Sequence, residues 1–189
     1  MTATLAGCMD AGRAPSPDAG QLPTTVSSSA PSTASQVTSD YSRLLIEPGD
    51  ISDRTDTFTV RSSPHKPDGM DGIAALFVNQ DDTRAVDVTI LVLPDDAAAN
   101  TTLNAAVDSI GTFVAGGDGP QPTEVGTAGT VVSGTSPDGA KAVTVLLFTE
   151  GKAVVRIEFG SAPGDPTPAP FVKDVGKKQE IAVRSGLSA

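Results

Sequence analysis

One histidine and one cysteine are the only side chains in this chain that ordinarily titrate near neutral pH, so they are the first candidates for chemistry. His65 lies in the segment Ser63–Gly69, S-P-H-K-P-D-G, whose prolines and glycine favour a loop. A general base also needs a positioned nucleophile and an orienting group. No motif marks either one, so a hydrolase built around His65 ranks last among the functions considered. Because no motif marks them, the sequence predicts no catalytic residue and no cofactor. It also predicts no metal site, since a single histidine and a single cysteine exclude the four-ligand zinc patterns.

Cys8 is the second candidate, and its thiol follows Leu5, Ala6 and Gly7. The stretch L-A-G-C resembles the lipobox of bacterial lipoproteins, in which the cysteine sulfur takes a diacylglycerol and the cysteine becomes the mature N-terminus. The resemblance implies lipidation at Cys8, with Leu5, Ala6 and Gly7 as the recognition box. Several acyl chains hold a protein at a membrane firmly, whereas one chain is marginal. The alternative interpretation is a free thiol in a disordered tail.

The segment before the cysteine is short for an export signal. Such a signal has a basic start and an apolar stretch, whereas only Met1–Thr4 precede the box. We therefore interpret residues 1–8 as the end of a truncated signal peptide, and we expect the gene to encode the rest upstream of Met1.

Residues 9–40 have the composition of a disordered tether. Ser, Thr, Pro, Ala and Gly supply 22 of these 32 positions, so the segment has too little apolar surface to offset the entropy cost of ordering it. The composition changes at Tyr41, where Leu44, Leu45 and Ile46 form the first apolar cluster. We therefore predict a single folded domain over residues 41–189, a length that can bury a sizeable core.

The net charge of this 189-residue chain is −10, from 13 basic and 23 acidic residues. Such a balance opposes binding to phosphate backbones, so nucleic acid is not a predicted partner. No apolar run reaches the roughly 20 residues that span a bilayer as a helix. Any membrane attachment is therefore expected to come from the lipid on Cys8.

Hydrophobic periodicity predicts the elements that would position a site. The predicted strands are Ile73–Val78, Ala85–Leu93, Thr127–Thr135, Lys141–Thr149 and Lys152–Phe159, with a shorter alternating segment at Thr57–Arg61. One helix is predicted over Ala97–Ala115, and a second one begins at Thr167 and Pro168 and ends at Gly186. The order ββ-α-βββ-α favours an α+β fold, with an antiparallel sheet of about five strands packed against two helices.

The whole layout resembles small exported lipoproteins of mycobacteria and related actinobacteria. The features that carry the resemblance are the L-A-G-C box, the Ser/Thr/Pro tether, the opening motif L-L-x-x-P-x-D at Leu44–Asp50, and the block Gly126–Phe159 before a terminal helix. Two groups are similar: the LpqN-like lipoproteins and the extracellular sensor-like domains of mycobacterial receptor kinases. Neither group implies a catalytic residue.

These observations favour a cell-envelope lipoprotein, anchored on the outer face of the membrane through Cys8, with a non-enzymatic domain that binds a ligand or a partner. An apolar ligand could lie between the first predicted helix and the strands Ile73–Val78 and Ala85–Leu93, although a closed core there is the simpler expectation. The alternative is an interaction module that docks other envelope proteins through its acidic surface.

Overall fold

The computed structural model describes residues 40–188, which form one compact unit. The strands are β1 (Phe58–His65), β2 (Gly72–Asn79), β3 (Arg84–Val92), β4 (Gln121–Pro122), β5 (Thr127–Thr135), β6 (Ala142–Glu150) and β7 (Ala153–Ser161). The α-helices are α1 (Pro48–Ile51), α2 (Asp96–Asp108) and α3 (Ala169–Leu187), and short 3-10 turns lie at Ser42–Leu44, Pro67–Gly69 and Ile110–Thr112.

The seven strands form one antiparallel sheet in the order β1-β2-β3-β7-β6-β5-β4. Strands β2 and β3 form a hairpin, and β5, β6 and β7 form a meander, which confirms the predicted antiparallel pairing. The expectation of about five strands is too low, because β1 and β4 join the two edges. β4 has only two residues, which is too short to show an alternating pattern.

Strand β7 joins the two halves of the sheet, since it pairs with β3 on one side and with β6 on the other. Helix α2, which follows β3, therefore packs on β6 and β7. The sequence left open an apolar ligand between this helix and the strands β2 and β3, with a closed core as the simpler expectation. The helix packs on β6 and β7 instead, on the side of β3 away from β2.

Apolar side chains fill both faces of the sheet. On one face the core includes Phe77, Val88, Ile90, Phe148, Val155 and Ile157 from the strands and Val172, Val175 and Val183 from α3. On the other face Ala99 and Leu103 of α2 pack against Val132, Val143, Val145, Leu147 and Val154. The domain is therefore an antiparallel sheet between two helices, which agrees with the predicted α+β class.

Helix α2 begins at Asp96, one residue before the predicted Ala97. The carboxylate of Asp95 accepts a hydrogen bond from the N–H of Ala98 at 2.8 Å, which is an N-cap that satisfies one free donor. The helix ends at Asp108, and the chain continues as the 3-10 turn Ile110–Thr112. The prediction that it extends to Ala115 is wrong. The spacing of apolar residues continues through the 3-10 turn, and this spacing alone does not distinguish a 3-10 turn from a further turn of α-helix.

Helix α3 begins at Ala169, with Pro168 as its N-cap residue, one position later than predicted. Its buried Gln179 binds the extended segment Leu44–Ile46 through both ends of its amide: Nε2 donates to the carbonyl of Leu44 at 2.6 Å, and Oε1 accepts from the N–H of Ile46 at 3.3 Å. The first apolar cluster of the domain is thus held on α3.

Candidate functional site

A cleft of about 270 Å³ opens at the end of the sheet where α3 begins. We call it the Phe171 cleft; its lining residues are Asp53, Thr55, Asp56, Phe58, Arg84, Ala85, Val86, Phe159, Thr167, Pro168 and Phe171. The volume is close to the lower end of the range of ligand pockets in proteins, and the lining combines apolar surface with a few polar groups, as such pockets commonly do.

Three of the chain's six phenylalanines meet in this cleft. The ring of Phe171 lies 6.3 Å from that of Phe58 in a stacked arrangement and 6.2 Å from that of Phe159 in an edge-to-face arrangement, measured between ring centroids. Phe58 and Phe159 are buried, whereas Phe171 on the first turn of α3 is half-buried. The rings form an apolar floor that a hydrocarbon group can contact.

Arg84, the first residue of β3, supplies the cleft with its positive charge. Its Nη2 binds Oδ2 of Asp165 at 2.6 Å, and its Nε lies 3.6 Å from Oδ2 of Asp56. Its Nη1 is buried and has no hydrogen-bond acceptor in the part of the chain that the structure describes. A buried donor without an acceptor is costly, so this nitrogen lowers the stability of the fold rather than lying open to the cleft.

The buried amide of Asn79 holds the polar groups of the cleft in place. Its Oδ1 accepts the N–H groups of Thr83 and Arg84, both at 2.9 Å. Its Nδ2 donates to Oδ1 of Asp56 and to the hydroxyl of Thr83, again at 2.9 Å. The amide therefore fixes both the start of β3 and the carboxylate that faces Arg84.

Asp53 lies at the exposed rim of the cleft, in a turn that it stabilises itself. Its Oδ1 accepts from the hydroxyl of Thr55 at 2.7 Å and from the N–H groups of Asp56 and Thr55 at 2.8 and 2.7 Å. The Thr55 hydroxyl, followed by the two N–H groups, holds the pKa of Asp53 below its ordinary value. The rim therefore carries a negative charge at neutral pH.

The opposite face of the sheet has a second and smaller pocket, of about 100 Å³, beside α2. Arg156 borders it, with its guanidinium 4.4 Å from the ring centroid of Phe113 and its Nη2 donating to the hydroxyl of Thr89 at 3.3 Å. The Nε of Arg156 is buried and, among the described residues, finds no acceptor. The pocket has room for roughly one apolar side chain, since an engineered cavity of about 150 Å³ holds benzene.

Asp87 and Glu158 lie directly opposite each other on β3 and β7, next to Arg156 on the same face. Neither carboxylate forms a salt bridge within residues 40–188. Burial raises the pKa of Glu158; the charge of Arg156 opposes this shift, and that of Asp87 adds to it. Like charges at directly opposite positions of a sheet are destabilising, so this pair is an acidic patch without a direct salt bridge among the described residues.

The sequence singled out the L-A-G-C box and one histidine. Leu5, Ala6, Gly7 and Cys8 fall outside the described residues. His65 is the last residue of the edge strand β1, where its backbone pairs with Ala74. The expected loop at this position is wrong, because the irregular end of β1, with its register shifts, still pairs with β2.

The cleft residues came from parts of the chain that sequence reasoning did not connect. Phe58, Arg84 and Phe159 lie on three different strands, and Phe171 lies on a helix. One signal was present: a phenylalanine near the end of β7 and another at the start of the following helix are separated only by a Pro/Gly-rich connection, which brings the ends of the two elements close together.

Within residues 40–188, no group of three His, Cys, Asp or Glu side chains is placed to hold a metal ion. The helices in the same range also include none with the length and hydropathy of a membrane span.

No family model matches this chain, and no curated protein matches it. Among solved structures, it is similar to the extracellular domain of PknH from Mycobacterium tuberculosis, with 9% sequence identity and a TM-score of 0.44. The match covers 62% of this chain and 64% of that chain, which is less than two thirds of its length. We transfer no property of that domain to this chain.

Proposed function

We propose that this protein is an exported envelope lipoprotein whose folded domain binds, without a reaction, the apolar part of a ligand in the Phe171 cleft. The observation that carries the proposal is the cleft with an aromatic floor of Phe58, Phe159 and Phe171, which Arg84 borders. An apolar surface with one convergent polar group is the usual arrangement of a binding pocket.

The other polar groups of the cleft support binding over catalysis. Asp53 is engaged in its own turn, and Asp56 accepts from Asn79 and faces Arg84. Thr55 donates its hydroxyl proton to Asp53 within the same turn. These groups have structural partners, whereas a catalytic nucleophile needs a base aimed at an incoming substrate.

The ligand proposal is tested by purifying the full chain from its native source and identifying bound compounds by mass spectrometry. We expect an apolar compound to remain with the wild type and to be lost from Phe171→Ser. Ile181→Ser is the matched control, because Ile181 lies on the same helix but is exposed to solvent. Equal retention by both variants, or nothing bound to the wild type over repeated preparations, would contradict the proposal.

The anchor is a separate part of the proposal, and it depends on Cys8 alone. We expect mass spectrometry of the native protein to find a diacylglycerol on the sulfur of Cys8, and Cys8→Ser to release the protein from the membrane fraction, since the tether itself contributes little apolar surface. An unmodified Cys8 in native material would contradict the anchor and leave the ligand proposal standing.

The acidic patch of Asp87 and Glu158 favours a second candidate function, a module that docks a basic partner protein. Two half-buried carboxylates without a salt bridge gain stability from an incoming cation. This candidate predicts a partner that binds more weakly as salt rises and that is lost from the double variant D87N/E158Q. Binding that is insensitive to salt would contradict it.

A further inference from the structure

A second cleft, of about 230 Å³, lies beside the start of α3 on the side of strands β5 and β6. We call it the Thr144 cleft, after the buried threonine of β6 that lines it. Thr167, which precedes α3, is half-buried and lines both this cleft and the Phe171 cleft. The two clefts are therefore neighbours that meet at Thr167, where a single ligand can contact both.

The strand register places the floors of the two clefts side by side on the α3 face. Successive partners across β3, β7, β6 and β5 are Val86, Phe159, Thr144 and Ser133. The first two line the Phe171 cleft, and the last two line the Thr144 cleft. Because directly opposite residues of antiparallel strands have Cβ atoms about 4.5–5.5 Å apart, the lining changes from apolar to hydroxyl-bearing between Phe159 and Thr144.

The polar groups that line the Thr144 cleft are mainly hydroxyls. Among the described residues no carboxylate lines it, and its one charged residue, Lys173, binds Oε2 of Glu124 at 2.7 Å. Four lining residues carry a hydroxyl group: Thr123, Ser133, Thr144 and Thr167. A hydroxyl both donates and accepts hydrogen bonds, so this lining suits an uncharged group that does the same.

Ser133 is the exposed residue of these four, and its Oγ lies 2.9 Å from Oγ1 of the buried Thr144. The two hydroxyls share one hydrogen bond, so one hydroxyl hydrogen has no acceptor among the described residues. A buried donor without an acceptor is costly, which favours Thr144 as the donor of the shared bond. The hydrogen of the exposed Ser133 hydroxyl is then available to a ligand oxygen.

We propose, on the basis of the proposed function, that the ligand of the Phe171 cleft is an amphiphile whose head group carries neighbouring hydroxyls, as glycerol and sugars do. Its hydrocarbon chain lies on the aromatic floor, and its head group extends past Thr167 into the Thr144 cleft. There the hydroxyl of Ser133 donates to a head-group oxygen. An engineered cavity of about 150 Å³ holds benzene, so about 230 Å³ has room for a glycerol group or a single sugar ring.

The test compares three probes with the same length of hydrocarbon chain: 1-decanol, monodecanoylglycerol and decyl glucoside. Calorimetric titration of the full chain, below the micelle concentration of each probe, gives a dissociation constant for each. We expect at least one of the two probes with neighbouring hydroxyls to bind about tenfold more tightly than 1-decanol, since one or two net hydrogen bonds have that effect. The tighter of these two probes identifies the head group as glycerol or sugar.

The double variant S133A/T144V tests where the head group lies. It removes both members of the hydroxyl pair, so neither hydroxyl is left without its partner. We expect the advantage over 1-decanol to fall by about fivefold, while 1-decanol binds as it does to the wild type. Thr127→Val is the matched control, because Thr127 is an exposed threonine of the same strand β5 and lines neither cleft. We expect this control to leave all three dissociation constants unchanged.

The outcomes distinguish this inference from the function on which it rests. If none of the three probes binds, the proposed apolar ligand site is wrong. If 1-decanol binds as tightly as both other probes, the apolar site stands and the hydroxylated head group is wrong. If S133A/T144V keeps the full preference over 1-decanol, the Thr144 cleft does not hold the head group and the inference fails.

Discussion

At the residue scale, the cleft depends on one arginine whose three guanidinium nitrogens have three different environments. Nη2 has a close carboxylate, Nε has a more distant one and Nη1 has none among the described residues. The two carboxylates make Arg84 a structural residue at the border of the cleft. Its position therefore depends on the residues that hold it, above all on Asn79.

We expect Asn79→Leu to lower the free energy of unfolding by roughly 3 kcal/mol, because it leaves several buried polar groups without their partner. The measurement is urea denaturation at neutral pH. Gln80→Leu is the control, since Gln80 is the adjacent residue and is exposed; we expect a change of less than about 0.5 kcal/mol. An equal decrease in the free energy of unfolding for the two variants would contradict a stabilising role for the hydrogen bonds of Asn79.

Glu158 gives a prediction about pH. Its pKa is raised in the folded state by burial, so the folded protein binds this proton more tightly than the unfolded chain does. Ionised Glu158 therefore lowers stability at neutral pH, and the penalty is relieved as the pH falls through the folded pKa toward the ordinary glutamate value. We expect Glu158→Gln to be more stable than the wild type at neutral pH, with a difference that shrinks on acidification.

Urea denaturation over a range of pH measures this difference. The control is Glu124→Gln, because a hydrogen bond and then the charge of Lys173 lower the pKa of Glu124, so removing its charge should not stabilise the protein. A Glu158→Gln variant that is less stable than the wild type at neutral pH would contradict the conclusion that burial raises the pKa of Glu158.

At the scale of elements, α3 makes close contacts through glycines as well as through its apolar face. Gly176 faces Val125 and Leu146, and Gly186 faces Arg43 and Leu44. Glycine inside a helix ordinarily costs about 1 kcal/mol relative to alanine. Here the two glycines let the side chains of Val125 and Leu146 and the segment Arg43–Leu44 approach the helix more closely than a methyl group would allow.

We expect Gly186→Ala to lower the melting temperature in spite of the better helix propensity of alanine. A Cβ at this position would lie 2.9 Å from the carbonyl oxygen of Arg43 and 2.6 Å from Cδ2 of Leu44. The backbone oxygen can move only with its segment, and we expect a cost of about 1 to 2 kcal/mol. Gly111→Ala is the control, because a Cβ there meets nothing within 4 Å. A Gly186→Ala protein as stable as that control would contradict close packing at this point.

The sequence predicted most of the regular elements, because those elements have long and strong patterns. The bounds of β5 match at both ends, and the observed start of α2 at Asp96 is one residue from the predicted Ala97. The four-residue α1 and the two-residue β4 could not be predicted, since their partners lie elsewhere in the fold. The Phe171 cleft was missed for the same reason: β1, β3, β7 and α3 meet there through long-range pairing.

At the scale of the whole molecule, the sheet separates two surfaces of different character. The α3 face ends in the Phe171 cleft, with its aromatic floor and Arg84. The α2 face carries a smaller pocket beside Arg156 and the acidic pair of Asp87 and Glu158. A ligand bound in the cleft and a basic partner bound at the acidic pair would therefore lie on opposite faces of the sheet.

The central claim is that an apolar ligand enters the Phe171 cleft, and side-chain NMR during a titration tests its location directly. With monodecanoylglycerol added to the full chain, we expect the largest shift changes at Phe58, Val86, Phe159 and Phe171, with little change at Leu91, Phe113 and Leu147 beside α2. Shift changes concentrated beside α2, or none at saturating probe, would contradict the account.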